Sequence, residues 1–297
     1  MKLNIWLILD GKRGHEKQIE DLAFSINKKN KTNITKIKKI SFLNTLLNFL
    51  RIGNDPCKYL PQPDLIITAG HQTHFDALQK KNRYGGKIIL IMKPSIPSFL
   101  FDLLIIPSHD NTLWKKNILT IDGTVNKIKN NNEQEKNSGL ILLGGPSKNY
   151  FWSNKKVIDQ INNILNLNPK LKFTIATSRR TPSELINDTE FIHKNLSIVS
   201  HESASHDWLE NNIGKYQFSW VTQDSISMLF ELISSGSIVN LIKLESKNRK
   251  FEKLFLKLEK QKKINYQHRA HLLNKLSKNN QSSAEYCADF IIKNLIN

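Results

Sequence analysis

The sequence has little of what would brace or anchor a chain from outside its own core. Two cysteines, Cys57 and Cys287, stand in 297 residues. They are too far apart and too unpatterned for a disulfide framework or a zinc site. No apolar run approaches the roughly 20 residues that a membrane-spanning helix needs. The longest, such as Ile5–Leu9 and Leu103–Ile106, are the length of a strand. The first of them is too short for a secretory signal and runs into Asp10-Gly11-Lys12 rather than a small-residue cleavage site, so a cytoplasmic protein is expected. Acid is scarce: 26 Asp and Glu against 44 Lys and Arg leave a net charge of +18. Such a surface favours nucleic acid, an acidic membrane face or a phosphorylated substrate. An aromatic RNA-binding signature, a zinc-finger pattern and a basic region with heptads are all missing, so nucleic acid is not an expected partner. The chain is rich in Asn and Ile and poor in Ala, which assigns part of the Lys excess to solvated faces.

What is present is enough apolar material for real cores, 39% of residues with fourteen Phe and five Trp, and a length suited to two domains. Strand-like runs alternate with helical patterns, the signature of parallel α/β sheets. Leu3–Leu9 reads as a buried strand, Asp10–His15 as a turn, and Glu16–Lys28 as a helix with Ile19, Leu22, Ala23 and Ile26 on one face. Asn33–Ile40, Leu65–Thr68, Ile88–Met92 and Leu103–Ile106 are further strands. Asn126–Asn137 is almost wholly Lys, Asn, Glu and Gln and marks a boundary. The alternation then restarts with strands at Gly139–Leu143, Leu171–Ala176, Phe218–Thr222 and Ile238–Leu244. Helices are expected at Ser153–Leu165 and at Asp224–Ser235, the latter closed by Gly236. The expected domains are 1–122 and 139–297 with a polar linker at 123–138. The last helix, about Ser283–Ile296, is free to pack on either half.

Four loops carry chemistry. Asp10-Gly11-Lys12-Arg13-Gly14-His15 joins a strand to a helix, where ligands of such sheets bind, and His15 there suits a general base. A plain tight turn with His15 as cap accounts for the same residues. Gly144-Gly145-Pro146-Ser147-Lys148 offers amides, a hydroxyl and a cation for phosphate but lacks the P-loop spacing, so an NTPase is not expected. Ser178-Arg179-Arg180-Thr181 places two guanidinium forks where a diphosphate could pair bidentately. Asp224 or Ser225 caps the next helix, with Ser227 and Met228 in its first turn and Glu231 two turns beyond Asp224. Gly70-His71-Gln72-Thr73-His74, Lys93 and Ser108-His109-Asp110 also stand at strand ends. His71, His74, His109 and Asp110 are of metal-ligand type without a recognised pattern, so neither metal nor cofactor is expected. Lys247–Lys263 sets Phe251, Leu254, Phe255 and Leu258 at helical spacing, a stripe that faces a core or an anionic membrane.

These motifs in combination resemble the mitochondrial fission ELM-type family, a bacterial and plant group whose plant members act in organelle division. The resemblance rests on Asp224-Ser225-Ile226-Ser227-Met228 with Glu231 and Gly236, on Ser178–Pro182, on the Asp10–His15 loop, and on Pro63–Gly70, Lys93-Pro94-Ser95 and Phe101–Asp110. The family is similar in turn to GT-B glycosyltransferases, notably the peptidoglycan lipid-intermediate glucosaminyltransferase. The resemblance implies two Rossmann-like, doubly wound α/β domains facing a central cleft. It also implies a metal-independent sugar transfer with His15 as base beside Asp10, and Glu231 on the ribose. The donor diphosphate would meet Gly144, Gly145, Ser147, Arg179, Arg180, Thr181, Asp224, Ser225, Ser227 and Met228. The acceptor, membrane-associated acceptors included, would meet Gly11, Lys12, Gly14, Gly70, His71, Gln72, Lys93, His109 and Asp110. The role of the plant members keeps a second expectation open: a non-catalytic adaptor that recruits a partner to a membrane through Lys247–Lys263.

Overall fold

The computed structural model describes residues 2–50, 52, 55–110, 115–130, 134–187, 191, 194–205, 207–270 and 281–296. The chain divides into two compact units, Met1–Lys127 with Gln281–Asn297, and Ile128–Asn280. Elements of the first unit are β1 (Leu3–Leu9), α1 (Arg13–Lys29), β2 (Thr32–Lys38), α2 (Phe42–Phe49), β3 (Leu65–Ala69), α3 (His74–Tyr84), β4 (Lys87–Ile91), β5 (Leu103–Pro107) and β6 (Ile118–Ile121). The second unit holds β7 (Glu135–Leu142), α4 (Asn154–Leu167), β8 (Lys172–Ala176), α5 (Ser183–Asn187), β9 (Leu196–Val199), α6 (Trp208–Asn212), β10 (Tyr216–Thr222), α7 (Ile226–Ser235), β11 (Ile238–Ile242) and α8 (Glu252–Lys260). A last helix, α9 (Ser283–Ile291), returns to the first.

Every strand pair is parallel. Parallel sheets need cover on both faces, and their strands accordingly read as continuous apolar runs. β3 and β5 are buried along their whole length. In the first unit, one face of the sheet packs Ile5, Leu7 and Ile67 on Ile19, Leu22 and Ile26 of α1 and on Cys287, Ala288 and Ile291 of α9. Trp6, Ile8, Ile66 and Ile88 pack the opposite face on Ala77 of α3. Strand order is β2-β1-β3-β4-β5-β6 in one sheet and β11-β10-β7-β8-β9 in the other. Each sheet therefore reverses direction once, between β1 and β3 and between β7 and β10. In open α/β sheets the ligand crevice lies outside the strand carboxyl ends at that reversal. The fold is α/β with two doubly wound parallel sheets, and no described helix is long and apolar enough to cross a membrane.

One expectation is corrected and two are made specific. Helix α1 begins at Arg13, so His15 lies in its first turn and not in the preceding loop. Within 123–138, Val125 is buried in the first unit's core and Ile128 in the second's, while β7 begins at Glu135; residues 131–133 lie outside the described residues. Two apolar residues suffice to pin a segment whose remaining side chains are polar. Finally, α8 spends its stripe on the core: Leu254, Phe255 and Leu258 are buried among residues of α7, β10 and β11. Lys247–Lys263 thus has no apolar stripe left for a membrane.

The most demanding feature of the first unit is Lys80, fully buried on α3 with its Nζ 2.5 Å from Oδ1 of Asp76, itself 2% exposed. Burial raises the Asp76 carboxyl above its usual range, and the ammonium opposes that shift. Removing one partner of such a pair leaves an uncompensated buried charge. Lys80→Ala should cost about 3–5 kcal/mol of unfolding free energy. Lys80→Met with Asp76→Asn should cost much less, as denaturant titration of the single and double variants will show.

Candidate functional site

The first unit's switch point is built from the ends of β1 and β3. Asp10 directly follows β1, and its side chain has no exposed surface. Its Oδ1 accepts from the Lys12 amide at 3.0 Å, and its Oδ2 lies 2.8 Å from Nδ1 of His15. A carboxylate can only accept, so Nδ1 carries the hydrogen and Nε2 is left as the acceptor. The Lys12 ammonium stands 4.0 Å from the same carboxylate. Gly11, at φ +82°, turns the chain, and its amide donates to Glu16 Oε1 at 3.0 Å. Gly70 ends β3 at φ +83°, and a Cβ there would meet Cε1 and Nδ1 of His15 at 2.6 Å. Only glycine lets β3 lie against the imidazole. The arrangement holds one tautomer, one ring orientation and one free basic nitrogen.

The other N-terminal candidates stand beyond the carboxyl ends of β3, β4 and β5 or at the start of α1. His71, Gln72 and Lys93 are exposed, Gly14 sits in the first turn of α1, and Asp110 is half-buried in a short 3₁₀ turn. The His109 side chain lies outside the described residues. His74 is buried against the Phe101 ring, its Nδ1 3.3 Å from Ser95 Oγ. No cluster of three metal-ligand side chains forms among the described residues.

In the second unit, the reversal between β7 and β10 gathers three of the sequence candidates around one carboxylate. The Asp224 side chain is fully buried, and its Oδ2 receives Arg180 Nη2 at 2.7 Å, the Gly145 amide at 3.1 Å and Ser225 Oγ at 3.1 Å. Arg180 Nη1 reaches the carbonyls of Gly145 and Pro146 at 3.2 and 3.4 Å. Thr222 Oγ1 accepts from the Gly144 amide at 2.8 Å, and Thr181 Oγ1 donates to the Leu143 and Gly144 carbonyls. A Cβ on Gly145 would fall 1.8 Å from the Arg180 carbonyl oxygen, and one on Gly144 2.1 Å from Asp224 Oδ2. The glycines therefore serve close approach. Their amides, expected to face phosphate, are already hydrogen-bonded.

Ser147 differs: its Oγ accepts from the amides of Asn149 and Tyr150, which leaves its O–H as a donor. Glu231 is 6% exposed. Arg179 and Ser227 remain exposed, and α7 starts at Ser225 without a side-chain cap. Its first-turn amides are donors that the helix itself does not use. The residue that sequence reasoning undervalued is Asp224: read as a cap, it is the hub of the loop cluster. Only its burial, invisible in a short polar motif, shows this.

Two consequences follow. Arg180→Ala strips a buried carboxylate of its charge partner and should lower stability by about 1–3 kcal/mol, whereas Arg179→Ala should leave the thermal midpoint unchanged; a paired melting measurement separates them. Burial pushes the His74 imidazole down to about 4. Between that value and the unfolded value near 6.5, the unfolded chain holds the extra proton. The contribution is thus complete above about pH 6.5 and declines toward pH 4, by up to about 3 kcal/mol. His74→Phe should flatten that part of a stability-versus-pH curve.

The fold has solved counterparts. The UDP-GlcNAc 2-epimerase of Methanocaldococcus jannaschii superposes with a TM-score of 0.57 at 12% identity, covering 99% of this chain and 100% of that one. The Neisseria meningitidis UDP-GlcNAc 2-epimerase bound to UDP-GlcNAc gives 0.53 at 14% identity, with 99% and 100% covered. S. aureus MnaA in a co-structure with UDP gives 0.56 at 12%, with 99% and 88% covered. At these identities the likeness is one of fold, a GT-B-like pair of parallel α/β domains. In sequence, an uncharacterized protein of Rickettsia prowazekii (strain Madrid E) is 28% identical over 325 residues, 88% of this chain and 89% of that protein. The family described as Mitochondrial fission ELM1 matches residues 13–295, and the chain belongs to that family.

Proposed function

We propose that the protein is a GT-B-like glycosyltransferase that moves a sugar from a nucleotide-diphosphate sugar to an acceptor hydroxyl. The observation that carries this reading is the Asp10–His15 pair at the first sheet's switch point, with Gly70 against the ring. A solvent-reachable imidazole held by a buried carboxylate is the arrangement of a general base. Nε2 of His15 takes the acceptor's hydroxyl proton as the freed oxygen attacks the anomeric carbon. The bond from that carbon to the diphosphate oxygen breaks, and the diphosphate leaves with the electron pair. Asp10 stabilises the imidazolium that forms. The second unit carries, in Arg179 and the uncapped start of α7, a cation and amides of the kind that bind a diphosphate without a metal. The UDP and UDP-GlcNAc named with the solved counterparts support a uridine nucleotide sugar as the first donor to test.

One observation favours the rival reading, a non-catalytic adaptor of the same family. Arg180 and the amides of Gly144 and Gly145 are engaged within the protein, which leaves fewer groups for a diphosphate. The two readings part at His15. As the base, His15→Ala should bind donor like the wild type yet transfer or hydrolyse it roughly 10²–10⁴-fold more slowly. Asp10→Asn, which loosens the tautomer, should also slow turnover with little change in donor affinity. Product detection alongside calorimetric titration reads both quantities. Wild-type turnover in His15→Ala removes His15 from the mechanism.

A further inference from the structure

Helix α2 is inverted. Its buried residues are the polar Thr45 and Asn48, and neither the nitrogen nor the oxygen of the Asn48 amide has a hydrogen-bond partner. Its outward residues are apolar but for Asn44: Phe42 is 68% exposed, Leu43 64%, Leu46 49% and the C-cap Leu50 62%. At 100° per residue these four share an arc of about 100°, opposite Asn48, with Thr45 at its flank. The stripe continues past the helix to Ile52, 74% exposed, and sideways to Phe75 of α3, whose ring meets that of Phe42 edge-on at 5.7 Å. Scattered exposed apolar residues need no explanation, but a contiguous patch on one helix marks an interaction surface.

Charge decides what that surface meets. Residues 22–54 contain no Asp or Glu. Lys38 and Lys39 stand just before Ile40 and the Ser41 cap of α2, and Lys58 follows its C-cap by eight residues in the chain. None of the three makes an ion pair among the described residues. An apolar stripe rimmed by unpaired lysines and free of acid is complementary to a bilayer with anionic headgroups.

We propose that α2, with Ile52 and Phe75, lays its apolar face into the interface of an anionic membrane, with Lys38, Lys39 and Lys58 at headgroup level. The proposal stands apart from the sugar-transfer reading, since it uses none of Asp10, His15, Arg179 or α7. It also moves the expected membrane contact from the 247–263 helix, whose apolar side is buried, to the first unit.

Flotation of the full chain with phosphatidylcholine vesicles, with and without phosphatidylglycerol, tests it. The wild type should float with the mixed vesicles and at least about tenfold less with neutral ones or at high salt. Leu43→Glu with Leu46→Glu should abolish flotation, and Lys38→Glu with Lys39→Glu should weaken it. All four positions are solvent-facing or at the rim, so circular dichroism melts should match the wild type. If a melt does not match, Leu46→Ser alone serves as the milder variant, with a several-fold loss expected. Equal binding to neutral and anionic vesicles, undiminished binding by the Glu variants, or no binding by the wild type overturns the proposal. So does light scattering that finds a wild-type dimer broken by the Glu pair without vesicle binding, because the patch would then join two copies of the chain.

Discussion

Parallel pairing is the constraint on which the rest of the structure depends. A parallel strand cannot return through a hairpin, so each pair needs a crossover long enough for a helix, and the helices cover both sheet faces. All strand carboxyl ends then line one edge of each sheet, and wherever the strand order reverses, two of those ends diverge and open a crevice. In the first unit the diverging ends are β1 and β3, which deliver Asp10 and Gly70 together to the Nδ1 edge of the His15 ring. In the second they are β7 and β10, which deliver the Gly144–Gly145 turn and Asp224. Both constellations thus follow from topology before any chemistry is invoked.

The two crevices are held differently. In the first, a buried carboxylate presents one ring nitrogen outward, an arrangement suited to proton transfer. In the second, a buried carboxylate turns inward and binds its own loops together, with Arg180 as the clamp. Guanidinium forks and glycine amides are the chemistry that binds phosphate, and here much of it is spent on architecture. Arg179 and the first turn of α7, by contrast, are not tied into that cluster.

The architecture was largely legible in the sequence because buried parallel strands are continuous apolar runs bounded by polar turns. Leu65–Thr68 and Leu103–Ile106 stand within one residue of the observed β3 and β5. Elements that broke this rule escaped. β9 has exposed residues at its centre and reads as loop, and α2 places its apolar residues outward. Asp10-Gly11 and Gly144-Gly145 were visible as glycine turns after strands. Their partners, Gly70 against His15 and Asp224 under Gly145, are 55 and 79 residues away in the chain, and only tertiary packing connects them. The 247–263 stripe is the converse case: periodicity shows that a face is apolar but not whether it meets core or lipid.

The central claim is that this fold still holds a nucleotide sugar on its second unit. Calorimetric titration of UDP-GlcNAc and UDP into the wild type and Arg179→Ala tests it most directly, since that side chain is exposed and its loss should not disturb the fold. Saturable binding by the wild type, weakened by about 1–3 kcal/mol in the variant, is the predicted result. Binding of neither nucleotide by the wild type, or equal binding by both proteins, would contradict it.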